Sequence, residues 1–181
     1  MNTRGQDAIA VVGLSCRLPG AAGPDQFWSL LKDGRDAITP TPAERWEMWG
    51  LSEGDESLRG LERGGFLPRL DGFDAGFFGI SPREAAAADP QQRLMLELGW
   101  EACEDAGIVP GQLAGEATGV FVGAISSDYS DLLRRLGREA ITRYTLTGNH
   151  RSIIANRVSY ALGLRGPSVT VDSGQSSGLG E

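Results

Sequence analysis

Three short apolar runs, rich in valine and other β-branched residues, divide the chain. Continuous runs of this kind are typical of strands that are buried on both faces, as in a parallel sheet. They predict strands at residues 8–14, 118–124 and 168–172. Segments with helical spacing of apolar positions lie between these runs. The alternation of buried strands with helices indicates an α/β fold.

The clearest helical pattern covers residues 90–106. Asp89 has the character of an N-cap, Pro90 suits the first helical position, and Gln92 completes the spacing of a capping box. Gly107 is a suitable stop. Apolar residues at helical spacing predict the buried face, which comprises Leu94, Met95, Leu98, Ala102 and Ala106.

Two further helices are predicted, at about residues 25–31 and 149–162. The second has four residues that we expect to point inward: Ile153, Ile154, Val158 and Ala161. Residues 34–72 are rich in Gly, Pro, Trp and charged residues, and they predict a long irregular surface segment. Such loops are uncommon without a function, so we expect it to make contacts.

Composition excludes some classes of function. The formal net charge of −7 and the scattered basic residues disfavour a nucleic-acid partner. Cys16 and Cys103 form no metal-ligand or disulfide pattern, and we expect both to be buried structural thiols in a reducing compartment. The apolar run near the N-terminus is too short for a signal peptide or a membrane span, which predicts a cytoplasmic protein without a membrane partner. The lone histidine, His150, indicates a capping or packing residue and no metal site.

The strand at residues 168–172 leads into the small-residue turn "VTVDSGQSSG". A sharp turn between a strand and a helix is the form of a nucleophile elbow, in which the apex side chain is exposed at the positive end of the helix. The backbone N–H groups of such a turn can form an oxyanion hole. Here the apex is Gln175, and a primary amide cannot attack a carbonyl. The spacing alone favours an ordinary βα turn with a polar apex.

A resemblance to a known protein family adds to this interpretation. The segments "IAVVGLSCRLPGA", "GGFLPRLDGFDAGFFGISPREAAAADPQQRLMLELGWEACEDAGI", "GVFVG" and "TGNHRSIIANRVSYALGLRGPSVTVD" closely resemble the N-terminal half of a modular polyketide synthase ketosynthase. The resemblance implies the N-terminal half of a thiolase-like α-β-α-β-α layered fold. Residues 1–7 are then an N-terminal extension, and residues 8–181 are the N-terminal part of a beta-ketoacyl synthase domain that is incomplete at its C-terminus.

Most members of this family carry a catalytic cysteine in a D-T/S-A-C-S-S turn. Gln175 stands at the position of that cysteine and Gly174 at that of the alanine. The pattern resembles the loading-module variant, which decarboxylates a malonyl or methylmalonyl group to make the starter unit. It implies that Gln175 is the catalytic residue and that the substrate is carried on the phosphopantetheine of an acyl carrier protein. No cofactor or metal would be bound directly. The implied partners are acyl carrier protein and acyltransferase domains, with a homodimer in the intact domain.

Two alternatives stay open. One is an ordinary condensing synthase that lost its cysteine, although the accompanying Gly174 argues against a single-residue accident. The other is a non-catalytic fragment for dimerisation or carrier-protein binding. Residues 178–181 depart from the family pattern, and the family's downstream histidine and lysine motifs are absent. We therefore expect a truncated or incomplete chain that is inactive alone. The preference between malonyl and methylmalonyl groups stays open.

Overall fold

The computed structural model describes residues 8–51, 58 and 60–178, without the side chain of Trp49. Seven α-helices and four strands lie within these residues. In chain order they are α1 (Pro24–Lys32), β1 (Thr39–Pro40), α2 (Ala43–Trp49), β2 (Arg63–Gly64), α3 (Pro82–Ala87), α4 (Pro90–Asp105), β3 (Val120–Gly123), α5 (Asp128–Arg135), α6 (Thr145–Asn149), α7 (Ile153–Ala161) and β4 (Ser168–Val171). Single 3₁₀ turns occur at Pro110–Leu113 and Arg138–Ala140.

The core lies where helices α4 and α7 pack together and α7 covers the two longer strands. Strands β3 and β4 are parallel, with Val120 opposite Ser168 and Gly123 opposite Val171. This confirms the strands predicted at residues 118–124 and 168–172. The buried apolar side chains of the core are Leu96, Val122, Ala124, Ile154, Ala155, Val158 and Leu162.

The sheet is covered on one face only, within the described part of the chain. Val122 of β3 is buried against α7, whereas Phe121, on the other face of the sheet, is 55% exposed. Val169 of β4 is exposed in the same way. The prediction of strands buried on both faces is therefore wrong for this sheet, because α4 and α7 lie on the same side.

The strand predicted at residues 8–14 is also wrong, because this segment has no strand structure. Its backbone is attached instead to the C-terminal half of α4. The Leu14 N–H donates to Asp105 Oδ2 at 2.8 Å, and a Cβ on Gly13 would lie only 2.2 Å from the Ala102 carbonyl oxygen. A strand needs a hydrogen-bonding neighbour, and among the described residues β3 pairs only with β4. The apolar side chains stay exposed, with Ile9 at 95%.

Helix α4 begins as predicted. Asp89 is its N-cap, and its carboxylate accepts from the Gln91 N–H at 2.8 Å. The predicted capping box does not form, because the Gln92 side chain donates to the Thr147 carbonyl instead. The residues of the predicted face are all half-buried, and Met95 packs against the core, but none of them is fully buried. Gln92 and Leu96 are the buried residues of α4, since α7 packs on that side.

The helix predicted at residues 149–162 is confirmed as α7, although it begins only at Ile153. The short helix α6, which was not predicted, ends at Asn149, and the backbone of His150 after it is extended. Of the four residues expected to point inward, Ile154 and Val158 are buried, Ile153 is half-buried and Ala161 is exposed. Helix α1 covers the predicted residues 25–31.

The segment at residues 34–72 is more regular than predicted. It holds the antiparallel pair β1–β2 and helix α2, with Trp46 buried. Residues 52–57 and 59 of this segment lie outside the described residues.

Trp100 packs at the edge of Phe77, in a small aromatic cluster with Phe78. In the described ranges, no helix is both long and apolar enough to cross a membrane.

Candidate functional site

The turn that follows β4 presents Gln175 to solvent, as the sequence predicts. Gly174 precedes it with φ of +68°, in the left-handed region that glycine adopts at little cost. The described residues after β4, up to Gly178, form a turn and contain no helix. The predicted placement of the apex at a helix N-terminus is therefore not found within them.

Ser177 fixes the C-terminal side of this turn. Its side chain is buried, and its Oγ accepts from the Ser173 N–H at 3.0 Å and donates to the Gly174 carbonyl at 2.5 Å. The turn also packs closely on the end of β3. A Cβ on Gly123 would lie 2.8 Å from the carbonyl carbon of Ser177, so this approach requires a glycine. These contacts fix the backbone on both sides of Gln175.

Asp172 fixes the N-terminal side of the turn. Its Oδ1 accepts from the Gly174 N–H at 3.1 Å, and its Oδ2 forms an ion pair with Arg151. Arg151 also donates to the Ile125 carbonyl at 3.0 Å, so it connects the α6–α7 link, the segment after β3 and the turn. The hydrogen bond from Gly174 and the interaction with Arg151 lower the pKa of the Asp172 carboxyl, because both stabilise its charged form.

A cavity of about 620 Å³ lies beside this region, and Arg151 is part of its wall. The other basic side chains that line it are Arg134, Arg138 and His150. No Asp or Glu is among its described lining residues, although the whole chain has a net charge of −7. The wall of the cavity thus carries basic side chains next to the turn, of which Arg134 and Arg151 form ion pairs with Asp131 and Asp172.

The other candidate residues lie apart from the turn or in ordinary environments. His150 is exposed at the end of α6, and its Nδ1 lies 2.7 Å from Ser152 Oγ, so it is not a packing residue. Cys16 and Cys103 are free and half-buried, where buried thiols were predicted. Burial still raises the pKa of the Cys103 thiol, which disfavours the reactive thiolate. No group of metal-ligating side chains occurs in the part of the chain that the structure describes.

Sequence reasoning missed two sets of polar contacts, one at the turn and one between the helices. One is the Arg151–Asp172 ion pair, which joins residues 21 positions apart. The other joins α3, α4 and α7 through Arg157, which donates to Gln92 and Glu84. The charged residues were visible in the sequence, but nothing local indicates which partners they meet.

Comparison with known proteins identifies the family. Residues 6–180 match the family described as beta-ketoacyl synthase, N-terminal domain. The chain is 57% identical over 179 residues to polyketide synthase GfsA of Streptomyces halstedii, covering 98% of the chain and 2% of that protein. It is 51% identical over 178 residues to pikromycin polyketide synthase component PikAII of Streptomyces venezuelae, covering 96% of the chain and 5% of the relative. The chain thus spans a small part of these relatives.

Solved ketosynthases share the fold. The ketosynthase from module 6 of the bacillaene synthase of Bacillus subtilis 168 matches with a TM-score of 0.78 and 35% identity, over 94% of this chain and 27% of that one. The oxazolomycin ketosynthase domain OzmH KS7 of Streptomyces albus JA3453 matches with a TM-score of 0.79 and 34% identity, over 92% of this chain and 29% of that one. These matches confirm the thiolase-like fold class. The chain belongs to the beta-ketoacyl synthase N-terminal domain family, and within it to the ketosynthases of modular polyketide synthases.

Proposed function

We propose that this chain is the N-terminal part of a loading-module ketosynthase-like domain, in which Gln175 serves decarboxylation and not condensation. The observation that supports the proposal is the exposed Gln175 at the apex of a turn whose backbone is held on both sides. The apex side chain there is an amide. The chemistry of this site must then be one that needs no nucleophile.

Decarboxylation meets that condition. Condensation requires an acyl-enzyme and hence a nucleophile such as a thiolate, which glutamine does not provide. In decarboxylation the bond to the carboxylate breaks, its electron pair enters the thioester as an enolate, and carbon dioxide leaves. A proton then adds to the α-carbon to give the acetyl or propionyl thioester. Gln175 can donate an N–H to the enolate oxygen, where negative charge develops.

The remaining features of the proposal follow from the family. The malonyl or methylmalonyl group would be carried on the phosphopantetheine of an acyl carrier protein, loaded by an acyltransferase domain. The intact domain would be a homodimer in the cytoplasm. Residues 1–7 would be an extension before the domain, which begins at residue 8.

The test uses the full-length product of the gene with malonyl- and methylmalonyl-loaded carrier protein, and mass spectrometry of the carrier-bound group. We expect loss of carbon dioxide from at least one of the two substrates. Loss of one hydrogen-bond donor to an oxyanion typically lowers the rate about 100-fold, and we expect that effect from Gln175→Ala. Gln112→Ala is the matched control, since Gln112 is also exposed but lies in the Pro110–Leu113 turn.

Each alternative has its own outcome in the same assay. Acylation of Gln175→Cys by an acyl thioester, with no decarboxylation by the wild type, would favour a condensing enzyme that lost its cysteine. Carrier-protein binding without either reaction would favour a non-catalytic fragment. Gln175→Cys should become acylated if the turn has the geometry of a nucleophile site. Equal decarboxylation rates in the wild type and Gln175→Ala would refute the role of the amide.

A further inference from the structure

We infer that Arg151 is a positioning residue for Gln175, acting through Asp172; its effect on turnover rests on the proposed function. Arg151 lies in the short link between α6 and α7, which is outside the turn in sequence. Its Nη1 reaches both the Ile125 carbonyl, at 3.0 Å, and the Asp172 carboxylate. One guanidinium thus joins three separate segments at the base of the turn.

Asp172 transmits this contact to the backbone of the turn. Its Oδ2 pairs with Arg151, while its Oδ1 accepts from the Gly174 N–H at 3.1 Å. Gly174 has the left-handed φ of +68° and directly precedes Gln175. The orientation of the Gly174 peptide, and with it the direction of the Gln175 side chain, therefore depends on where Asp172 is held.

The ion pair also controls charge near the turn. Without Arg151, an unpaired carboxylate would lie three residues from the apex. Negative charge beside the turn opposes formation of an enolate there, because like charges repel each other. Arg151 neutralises this carboxylate and leaves the turn available for a developing oxyanion.

The pair contributes little to global stability, since both side chains are partly exposed, at 36% for Arg151 and 43% for Asp172. This separates a positioning role from a structural one. Loss of the contact should change the local motion of the turn and the rate of turnover, and should leave the unfolding temperature nearly unchanged.

The test compares Arg151→Gln, Arg151→Lys and Asp172→Asn in the full-length gene product. Arg134→Gln is the matched control, because Arg134 lines the same cavity but pairs with Asp131 of α5, and within the described residues it forms no hydrogen bond or ion pair with the turn. Hydrogen exchange of peptides covering residues 172–177 reports the turn directly and needs no activity. The second readout is kcat and KM for decarboxylation, and the third is Tm.

We expect Arg151→Gln to speed exchange in residues 172–177 and to lower kcat about tenfold, with KM and Tm nearly unchanged. Arg151→Lys should restore part of the rate, because it keeps the charge but loses the planar fork. The double variant Arg151→Gln with Asp172→Asn should be no slower than the slower single variant, since both act through one contact.

The inference is overturned if Arg151→Gln exchanges like the wild type, or if faster exchange leaves kcat unchanged. It is also overturned if Arg151→Gln and Arg134→Gln lower kcat and Tm equally. A wild-type protein with no decarboxylation would refute the proposed function and the catalytic part of this inference together. The exchange measurement would still decide whether Arg151 holds the turn.

Discussion

Asp89 holds the junction between α3 and α4 by its backbone and its side chain. Its N–H donates to the Gly148 carbonyl at 2.8 Å, and its carboxylate caps α4 through the Gln91 N–H. The residue is buried, and burial raises the pKa of its carboxyl, although the hydrogen bonds from Gln91 oppose this effect. Asp89 therefore combines a favourable cap with an unfavourably buried charge.

We predict that Asp89→Ala lowers the free energy of unfolding by about 1 kcal/mol, the usual effect of removing an N-cap. Asp89→Asn should retain most of this stability, because asparagine caps equally well without a charge. Urea unfolding at low protein concentration measures both variants. Equal destabilisation by alanine and asparagine would contradict the capping role.

The stability of the wild type relative to Asp89→Asn should depend on pH. Since the folded state has the higher pKa, it binds the Asp89 proton more tightly than the unfolded state does. The stability that this protonation contributes is fully present below the ordinary pKa of 3.8 and is lost as pH rises through the raised value. The wild type should therefore lose stability relative to Asp89→Asn as pH rises across that window. A stability difference between the two proteins that stays constant with pH would indicate that the pKa of Asp89 is not raised by folding.

Residues whose contacts are local could be predicted from the sequence. The Asp89 cap follows from an aspartate before Pro90, and the exposure of Gln175 follows from a small-residue turn after a strand. Arg151 and Gln92 could not be interpreted in this way. Their partners lie 21 and 65 positions away, and only the tertiary fold brings the separate segments together.

At the scale of elements, a polar network joins the helices that surround the core. Gln92 of α4 is fully buried, and its side chain donates to the Thr147 carbonyl of α6 at 3.1 Å. It also accepts from Arg157 of α7, which forms an ion pair with Glu84 of α3. Three helices thus meet at one buried amide, and α3 joins them through Arg157.

We predict that Gln92→Ala lowers the free energy of unfolding by about 1–3 kcal/mol, since it removes a buried amide and leaves two partly buried polar groups without this partner. Those groups are the Arg157 Nε–H and the Thr147 carbonyl. A double-mutant cycle with Arg157→Ala should give a coupling energy of about 0.5–3 kcal/mol. Denaturant unfolding of the four proteins measures it. Gln112→Ala is the exposed control, and additive effects at positions 92 and 157 would contradict the network.

The elements show why periodicity predicts some structure and not the rest. Strands β3 and β4 form where apolar runs predict them, because each has the other as a partner. Residues 8–14 have an equally good pattern but no strand, because pattern does not supply a neighbouring edge. The break between α6 and α7 at His150 contains neither Pro nor Gly, so no local signal marks it.

At the scale of the whole molecule, residues 8–14 and strand β3 are two of the places where large apolar side chains remain uncovered. The segment at residues 8–14 exposes Ile9 and Val11 at 95% and 84%, and β3 exposes Phe121 at 55%. Within the described part of the chain, the β3–β4 sheet has only two strands, so its outer edges are also unpaired. Exposed apolar surface and open sheet edges both favour association with other chains.

We predict that the 181-residue chain, expressed by itself, associates as its concentration rises, and that light scattering after size exclusion detects this association. Each apolar side chain buried in the contact contributes about 25 cal/mol per Å² removed from water. Ile9→Lys with Val11→Lys should therefore shift the chain toward the monomer. Val109→Lys is the control, since Val109 is 57% exposed and lies outside both regions.

Salt distinguishes this mechanism from an electrostatic one. The chain carries a net charge of −7, so separate copies repel each other at low ionic strength. Screening that repulsion should strengthen an apolar contact, whereas it would weaken one held by ion pairs. Association that increases with salt and is lost in Ile9→Lys with Val11→Lys would assign it to residues 8–14. A monomer at every concentration, or equal association of the double variant and Val109→Lys, would show that this segment drives no contact.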